Sequence, residues 1–206
     1  MMGRNEIVMW KFGRILSWVI HKAIFRLRVT GQENIPLTGG VILASNHISN
    51  FDAPTIAIIA PRPLNFLAKQ EFFERKLIGK LLLALNCIPI DRAKPSMASL
   101  KRVSNLLKEG QAVAIFIQGR IQKDGSSKDY KSGAVFFAIK GEVPIVPINI
   151  TSRFRLFSKV HVNIGVPISF EEYHGKRMRT EELNIIAQKL MNQIIALGSL
   201  SQGVGS

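Results

Sequence analysis

The chain has 206 residues, of which 47% are hydrophobic and 20% charged, so it is long enough for one globular domain with a sizeable core. Its net charge of +14 favours an anionic partner, which can be nucleic acid, an anionic membrane or a phosphorylated substrate. The lone cysteine, Cys87, excludes an intrachain disulfide and a cysteine-based metal site, and the four histidines form no ligand motif, so we expect no bound metal.

Residues 1–28 are predicted to form an amphipathic helical segment. On a helical projection the basic side chains share one side, with Trp18 among them and Trp10 at the edge, while most apolar side chains lie elsewhere. Charged residues interrupt the apolar stretch, so neither a spanning helix nor a signal peptide is expected. The pattern is typical of a helix in a membrane interface, contacted through Trp10, Lys11, Arg14 and Trp18. Packing on the protein's own core is the alternative.

Beyond residue 28, strand-like and helix-like segments alternate. The predicted strands are 39–45, 63–68, 87–90, 112–117, 143–150 and 159–165, and the predicted helices are 53–60, 74–85, 96–110, 131–141 and 180–197. Ser96 is expected to cap the third of these helices and Gly110 to end it. The alternation predicts an α/β fold: a single domain over 29–197 with a central, mostly parallel sheet flanked by helices, and a flexible tail over 198–206.

Two polar segments follow predicted strands, "NHISNFD" from residue 46 and "FIQGRI" from residue 116, and ligands bind beyond the carboxyl ends of such strands. His47 and Asp52 can meet only if the residues between them form a turn, because a helix would separate them by about 140°. Asp52 would then fix the imidazole tautomer and leave the other nitrogen free to accept a proton. Asp52 can also be an ordinary N-cap before Ala53-Pro54, and the two interpretations are compatible.

"NHISNFD" matches the NHxxxxD motif of the glycerolipid acyltransferases, and the chain resembles the bacterial 1-acylglycerol-3-phosphate acyltransferase branch of that family. Three further segments resemble conserved blocks in the same order: "VTGQENIPLTGGVILASNH", "FLAKQEFFERKLIGKLLLALNCIPIDR" and "VPIVPINI". The resemblance covers roughly residues 25–170. Ordered blocks are more specific than any single motif.

The resemblance implies that His47 is the general base, oriented by Asp52, in acyl transfer from a thioester to the sn-2 hydroxyl of lysophosphatidic acid. The acyl donor is carried by coenzyme A or acyl carrier protein, and no other cofactor is implied. A covalent acyl-enzyme is not needed, in agreement with the lack of a GxSxG segment. The family implies a peripheral or monotopic enzyme at the cytoplasmic face of the cell membrane, in contact with anionic phospholipid.

The resemblance places the substrate phosphate near Arg92, Gln118, Gly119 and Arg120, with Lys69 as a further candidate. Arginine suits phosphate because its guanidinium can bind two oxygens at once. The family reads FPEGTR where this chain reads "FIQGRI", so Gln118 replaces a glutamate and Arg120 stands one position early. Solvated surface cations are the alternative for Arg92, Arg120 and Lys69.

Three other functions compete with phosphatidic acid synthesis. One is acylation of another lysolipid or a polyol phosphate, and one is lipid binding without catalysis, which Gln118 favours and the intact "NHISNFD" opposes. The third is nucleic-acid binding, suggested by charge alone. No base-reading or stacking module accompanies that charge, so we expect no nucleic-acid partner.

Overall fold

A computed structural model describes residues 4–91, 95–119, 121, 130–152 and 154–200. Its helices are α1 (Arg4–Ile24), α2 (Asp52–Ile59), α3 (Lys76–Ala84), α4 (Met97–Lys108), α5 (Gly133–Gly141) and α6 (Thr180–Leu200). Its strands are β1 (Arg26–Thr30), β2 (Val41–Ser45), β3 (Leu64–Lys69), β4 (Cys87–Ile90), β5 (Ala112–Phe116), β6 (Ile145–Thr151) and β7 (Lys159–Ile164). Every helix and strand predicted from the sequence is present.

Within the described residues the strands form one seven-stranded sheet in the order β1-β7-β6-β2-β5-β3-β4. Every neighbouring pair is parallel except β6 and β7, so the prediction of a mostly parallel α/β sheet is confirmed. β2 lies between β5 and β6, and Ser45 is in register with Phe116. The two polar segments that follow β2 and β5 therefore begin side by side at the carboxyl edge.

Helices cover both faces of the sheet, which explains why all five residues of β2 are buried. Ile42 and Ala44 pack into the core formed with α4, α5 and α6. Val41 and Leu43 point the other way, into a second core that includes α2, and α1 packs on α2. Strands buried on both faces read as continuous apolar runs rather than alternating ones.

Two predicted boundaries are wrong. The N-terminal helix ends at Ile24, not at residue 28, because the following residues form β1, which pairs with β7 from the far end of the domain. α6 continues to Leu200, beyond the predicted end at 197, and a side chain at Gly198 would come within 2.7 Å of Asn149 on β6. Residues 201–206 of the predicted tail lie outside the described residues.

The predicted ends of α4 are confirmed. The Ser96 hydroxyl accepts a hydrogen bond from the Ser99 N–H at 3.1 Å, as an N-cap does. Gly110 follows the helix with a φ of 76°, a left-handed conformation that glycine adopts at no steric cost.

A buried histidine lies between α1 and α2. His21 is 2% exposed, with Nδ1 at 2.9 Å from the Ser17 carbonyl and Nε2 at 2.8 Å from the Thr55 hydroxyl. A carbonyl only accepts, so Nδ1 carries the hydrogen. Burial lowers the pKa of His21 below its ordinary value of 6.5, and the hydrogen bond to Ser17 offsets this only in part.

We expect α1 to dock less tightly as the pH falls below 6.5. The pKa of His21 is near 6.5 when α1 is undocked and is lower when α1 is docked, so as the pH falls the undocked form is protonated first. The free energy of docking is therefore constant above pH 6.5 and becomes less favourable below it. Emission of Trp10, 6% exposed, would report this in a Trp18→Phe protein, since the chain has 2 tryptophans. The red shift at low pH should disappear in a His21→Gln protein. An unchanged shift there would assign the pH dependence to another group.

Candidate active site

The residues between His47 and Asp52 form the turn that the pairing requires. Nδ1 of His47 lies 2.8 Å from Oδ2 of Asp52. The same carboxylate oxygen accepts from the N–H groups of Ile48 at 2.6 Å and Ser49 at 2.8 Å, so the turn folds around it. Nδ1 therefore carries the hydrogen, and Nε2 is the nitrogen able to accept a proton. Among the described residues Nε2 has no hydrogen-bond partner.

The interpretation of Asp52 as an ordinary N-cap is wrong. Asp52 is the first residue of α2, and the cap position belongs to Phe51, whose side chain makes no capping bond. The carboxylate accepts hydrogen bonds from N–H groups that precede the helix, and it is 0% exposed. The geometry therefore supports the orienting role.

The loop carrying His47 is fixed on both sides by neighbouring strands. The Asn46 side chain exchanges two hydrogen bonds with the Ile150 backbone on β6, both at 2.8 Å. On the β5 side, the Phe116 ring stacks on the imidazole with centroids 4.1 Å apart and planes at 15°. No role was predicted for Asn46 or Phe116. The only sequence signal was their position at the ends of two strands that prove to be neighbours.

Gln118 supports the same loop. It is 6% exposed, and its Oε1 accepts the His47 backbone N–H at 2.7 Å. The oxygen that it shares with the family's glutamate therefore positions the loop that carries His47, which the sequence did not predict. Contact between Gln118 and the substrate phosphate stays a prediction.

We expect Gln118→Glu to keep both fold and activity, because a carboxylate oxygen can accept the same hydrogen bond. Gln118→Leu has a similar size but cannot accept, so the His47 N–H loses its partner at a cost of about 1–3 kcal/mol. Comparing kcat and the unfolding midpoint of the two variants isolates the hydrogen bond. Equal activity in both proteins would show that this contact does not position His47.

An apolar cavity of about 350 Å³ lies beside the His47 ring; we call it the His47 cavity. Its walls come from α1, α2, α3 and the β3, β4 and β5 strands, and include Trp10, Gly13, Ala53, Pro54, Ala57, Phe66, Leu67, Phe72, Leu82, Leu85, Cys87 and Phe116. Burial raises the pKa of the Cys87 thiol to about 12, so this cysteine behaves as an apolar wall residue and not as a nucleophile. The cavity suits a hydrocarbon chain whose reacting end reaches His47.

The structure divides the residues predicted to touch a membrane. The prediction that Trp10 contacts the membrane directly is wrong, because Trp10 is 6% exposed and lines the His47 cavity. Arg14, one turn further, lies over its ring at 5.2 Å and also lines the cavity, with Nε donating to the Ile58 carbonyl at 3.3 Å. Lys11 is exposed and Trp18 is 48% exposed, so membrane contact by these two stays a prediction. No helix of the described chain is long and apolar enough to cross a bilayer.

The predicted phosphate site is only partly visible. Arg92 and Arg120 lie outside the described residues. Lys69 ends β3, lines the His47 cavity and pairs with Glu71 at 2.7 Å, and its side chain is 49% exposed. Gly119 has a φ of 64°, which favours glycine because any other side chain would be strained there.

A His–Asp pair with a proton-accepting nitrogen, at the carboxyl edge of an α/β sheet and next to an apolar cavity, is an arrangement suited to general base catalysis on a hydroxyl or water. The Acyltransferase family model matches residues 26–151. The chain therefore belongs to the Acyltransferase family.

The chain is also similar to individual acyltransferases. The 1-acyl-sn-glycerol-3-phosphate acyltransferase of Bacillus subtilis is 32% identical over 198 residues, which are 90% of this chain and 98% of that protein. An enzyme of the same name from Borreliella burgdorferi is 26% identical over 75% of this chain and 62% of its own length. The crystal structure of the 1-acyl-sn-glycerophosphate (LPA) acyltransferase PlsC from Thermotoga maritima shares the fold, with a TM-score of 0.68 and 24% identity over 94% of this chain and 78% of that one.

Proposed function

We propose that the protein transfers a fatty acyl group from an acyl thioester to the sn-2 hydroxyl of lysophosphatidic acid, giving phosphatidic acid for phospholipid synthesis. The observation that carries the proposal is the His47–Asp52 pair, in which His47 also lines an apolar cavity. Family membership and the names of the bacterial relatives support the same reaction.

In this mechanism Nε2 of His47 accepts the hydroxyl proton while the oxygen attacks the thioester carbonyl. Asp52, bonded to Nδ1–H, holds the ring and stabilises the imidazolium that forms. The tetrahedral intermediate then expels the thiolate, which takes the proton back from Nε2. An oxygen–carbon bond replaces a sulfur–carbon bond, and the histidine is regenerated without a covalent acyl-enzyme or a further cofactor.

The acyl donor in the proposal is acyl carrier protein or coenzyme A, both of which are acidic and suit a chain of +14 charge. The protein would work as a peripheral or monotopic enzyme at the cytoplasmic face of the cell membrane. Exposed apolar residues on α1 support membrane contact, with Phe12 and Ile15 each 62% exposed, and exposed Lys11 can add about 1 kcal/mol at an anionic surface.

The phosphate of lysophosphatidic acid is proposed to bind Arg92 and Arg120, with Lys69 and the Gly119 backbone nearby. Removing a charge-assisted hydrogen bond costs about 1.5–3 kcal/mol. We therefore expect Arg92→Ala and Arg120→Ala to raise the KM for lysophosphatidic acid by about 10- to 100-fold. Arg102→Ala, on the exposed side of α4, is the control. An unchanged KM in both variants would remove these arginines from the site.

One assay tests the function as a whole. Purified protein would receive lysophosphatidic acid or other lysolipids, each with acyl carrier protein and coenzyme A thioesters. Phosphatidic acid as the main product is the expected result. A preference for a different lysolipid would assign another acceptor, and binding without turnover in every combination would identify a lipid-binding member that has lost catalysis.

A further inference from the structure

α3 exposes large apolar side chains that a helix of a soluble domain normally buries. Leu77 is 84% exposed, Leu81 55% and Ile78 39%. Lys76 and Lys80 are exposed on the same short helix. At 100° per residue, Ile78, Leu81 and Leu85 form one stripe with Leu77 at its border, and both lysines lie on the other side of Leu77. The helix thus has an apolar stripe with a cationic edge.

The Leu85 end of this stripe borders α1. A side chain at Gly13 would come within 2.5 Å of Leu85, so the two helices approach closely there, and Leu85 marks the side of α3 nearest α1. In angular position around the axis of α1, Leu16 lies between Gly13 and the exposed Phe12. Leu16 is 50% exposed and Phe12 62%. The exposed apolar surface therefore continues from one helix to the other.

The inner faces of these two helices are walls of the His47 cavity. Gly13 on α1 lines it together with Leu82 and Leu85, which belong to α3 and its C-terminal end. A surface that binds a bilayer through the outer faces of α1 and α3 would place the cavity at the membrane, where a lipid acceptor resides.

We propose that the outer faces of α1 and α3 form one docking surface for an anionic bilayer, and that the lipid acceptor enters the His47 cavity between them. We call this surface the α1–α3 patch. Exposed leucines with a cationic border are the pattern of interfacial insertion. α3 is thus a second membrane-binding element beside the N-terminal helix. The lipid-entry part of the proposal rests on the proposed function.

Binding is tested with two double variants of the full-length protein, Leu77→Ser/Leu81→Ser and Lys76→Gln/Lys80→Gln. The matched control is Ile185→Ser/Ile195→Ser on α6, where the two residues are 58% and 49% exposed on a helix that covers the other face of the sheet. Each protein is floated with vesicles of phosphatidylcholine alone or with phosphatidylglycerol. Circular dichroism verifies folding.

The leucine variant should lose flotation with both vesicle types, whereas the control should float like the unchanged protein. The lysine variant should bind the anionic vesicles more weakly than the unchanged protein does, by about 5-fold for each lysine, and should bind the phosphatidylcholine vesicles equally well. Unchanged flotation of the leucine variant, or an equal loss in the α6 control, would overturn the proposal.

Activity provides the second readout. Lysophosphatidic acid embedded in vesicles should be acylated more slowly by both α3 variants, while a short-chain, monomeric acceptor should be acylated at the unchanged rate. Equal rates on vesicles would overturn lipid entry through the patch. If the unchanged protein acylates neither substrate, the proposed function fails while flotation still tests docking. If the lysine variant floats normally and loses activity only with acyl carrier protein thioesters, α3 binds the acidic carrier and the membrane proposal is wrong.

Discussion

Replacing His47 with alanine is expected to reduce acyl transfer by at least about 10²–10⁴-fold, the usual contribution of a positioned general base. Nε2 is the nitrogen left to accept the hydroxyl proton, and the ring reaches the cavity with its side chain 13% exposed. The fold should persist, because the turn is built on backbone N–H groups bonded to Asp52 and on the Asn46–Ile150 pair, none of which needs the imidazole.

The measurement is kcat/KM with vesicle-embedded lysophosphatidic acid, together with the unfolding midpoint of each purified protein. His174→Ala is a suitable control, because His174 follows a short turn far along the chain and has no place in the cavity wall. His47→Gln adds a stricter comparison, since glutamine keeps polarity and approximate size but cannot act as the base. A folded His47→Ala protein that retains more than a small residual rate would contradict the catalytic assignment.

The sequence allowed the local part of this structure to be predicted. Apolar runs and helical periodicity are properties of neighbouring residues, so the strands of the sheet and the helices after residue 50 could be placed within a few residues. The spacing of His47 and Asp52 allowed a pair across a turn of four residues but did not require one, and the resemblance of "NHISNFD" to the NHxxxxD motif was what favoured it. β1 was missed because its first three residues were assigned to the N-terminal helical segment, so the alternation of polar and apolar residues over Arg26–Thr30 was not recognised as a strand.

Contacts between distant segments could not be predicted from spacing. Gln118 reaches His47 across 71 positions and Asn46 reaches Ile150 across 104, so the contacts that support the His47 loop are visible only in the folded chain. Trp10 shows the same limit. Its amphipathic helix has two apolar surfaces, one against the protein and one outward, and the projection alone does not assign a residue to either.

Replacing Asp52 should separate catalysis from folding more clearly than any other change. In Asp52→Asn the side-chain oxygen can still accept from Ile48 and Ser49, so the turn is retained, but the negative charge opposite the imidazolium is gone. We expect activity to fall by up to about 10⁴-fold, as the same exchange does in the Ser-His-Asp triad, with little change in stability. In Asp52→Ala both N–H groups lose their acceptor, which costs about 1–3 kcal/mol each.

The two variants should therefore lose similar activity but differ in the free energy of unfolding, measured by urea denaturation at neutral pH. Glu74→Gln, which removes an exposed carboxylate before α3, controls for the loss of one negative charge. More than a tenth of the activity remaining in Asp52→Asn would show that the charge does not assist His47. Equal stability of Asp52→Ala and the unchanged protein would show that the turn between His47 and Asp52 does not depend on the Asp52 carboxylate.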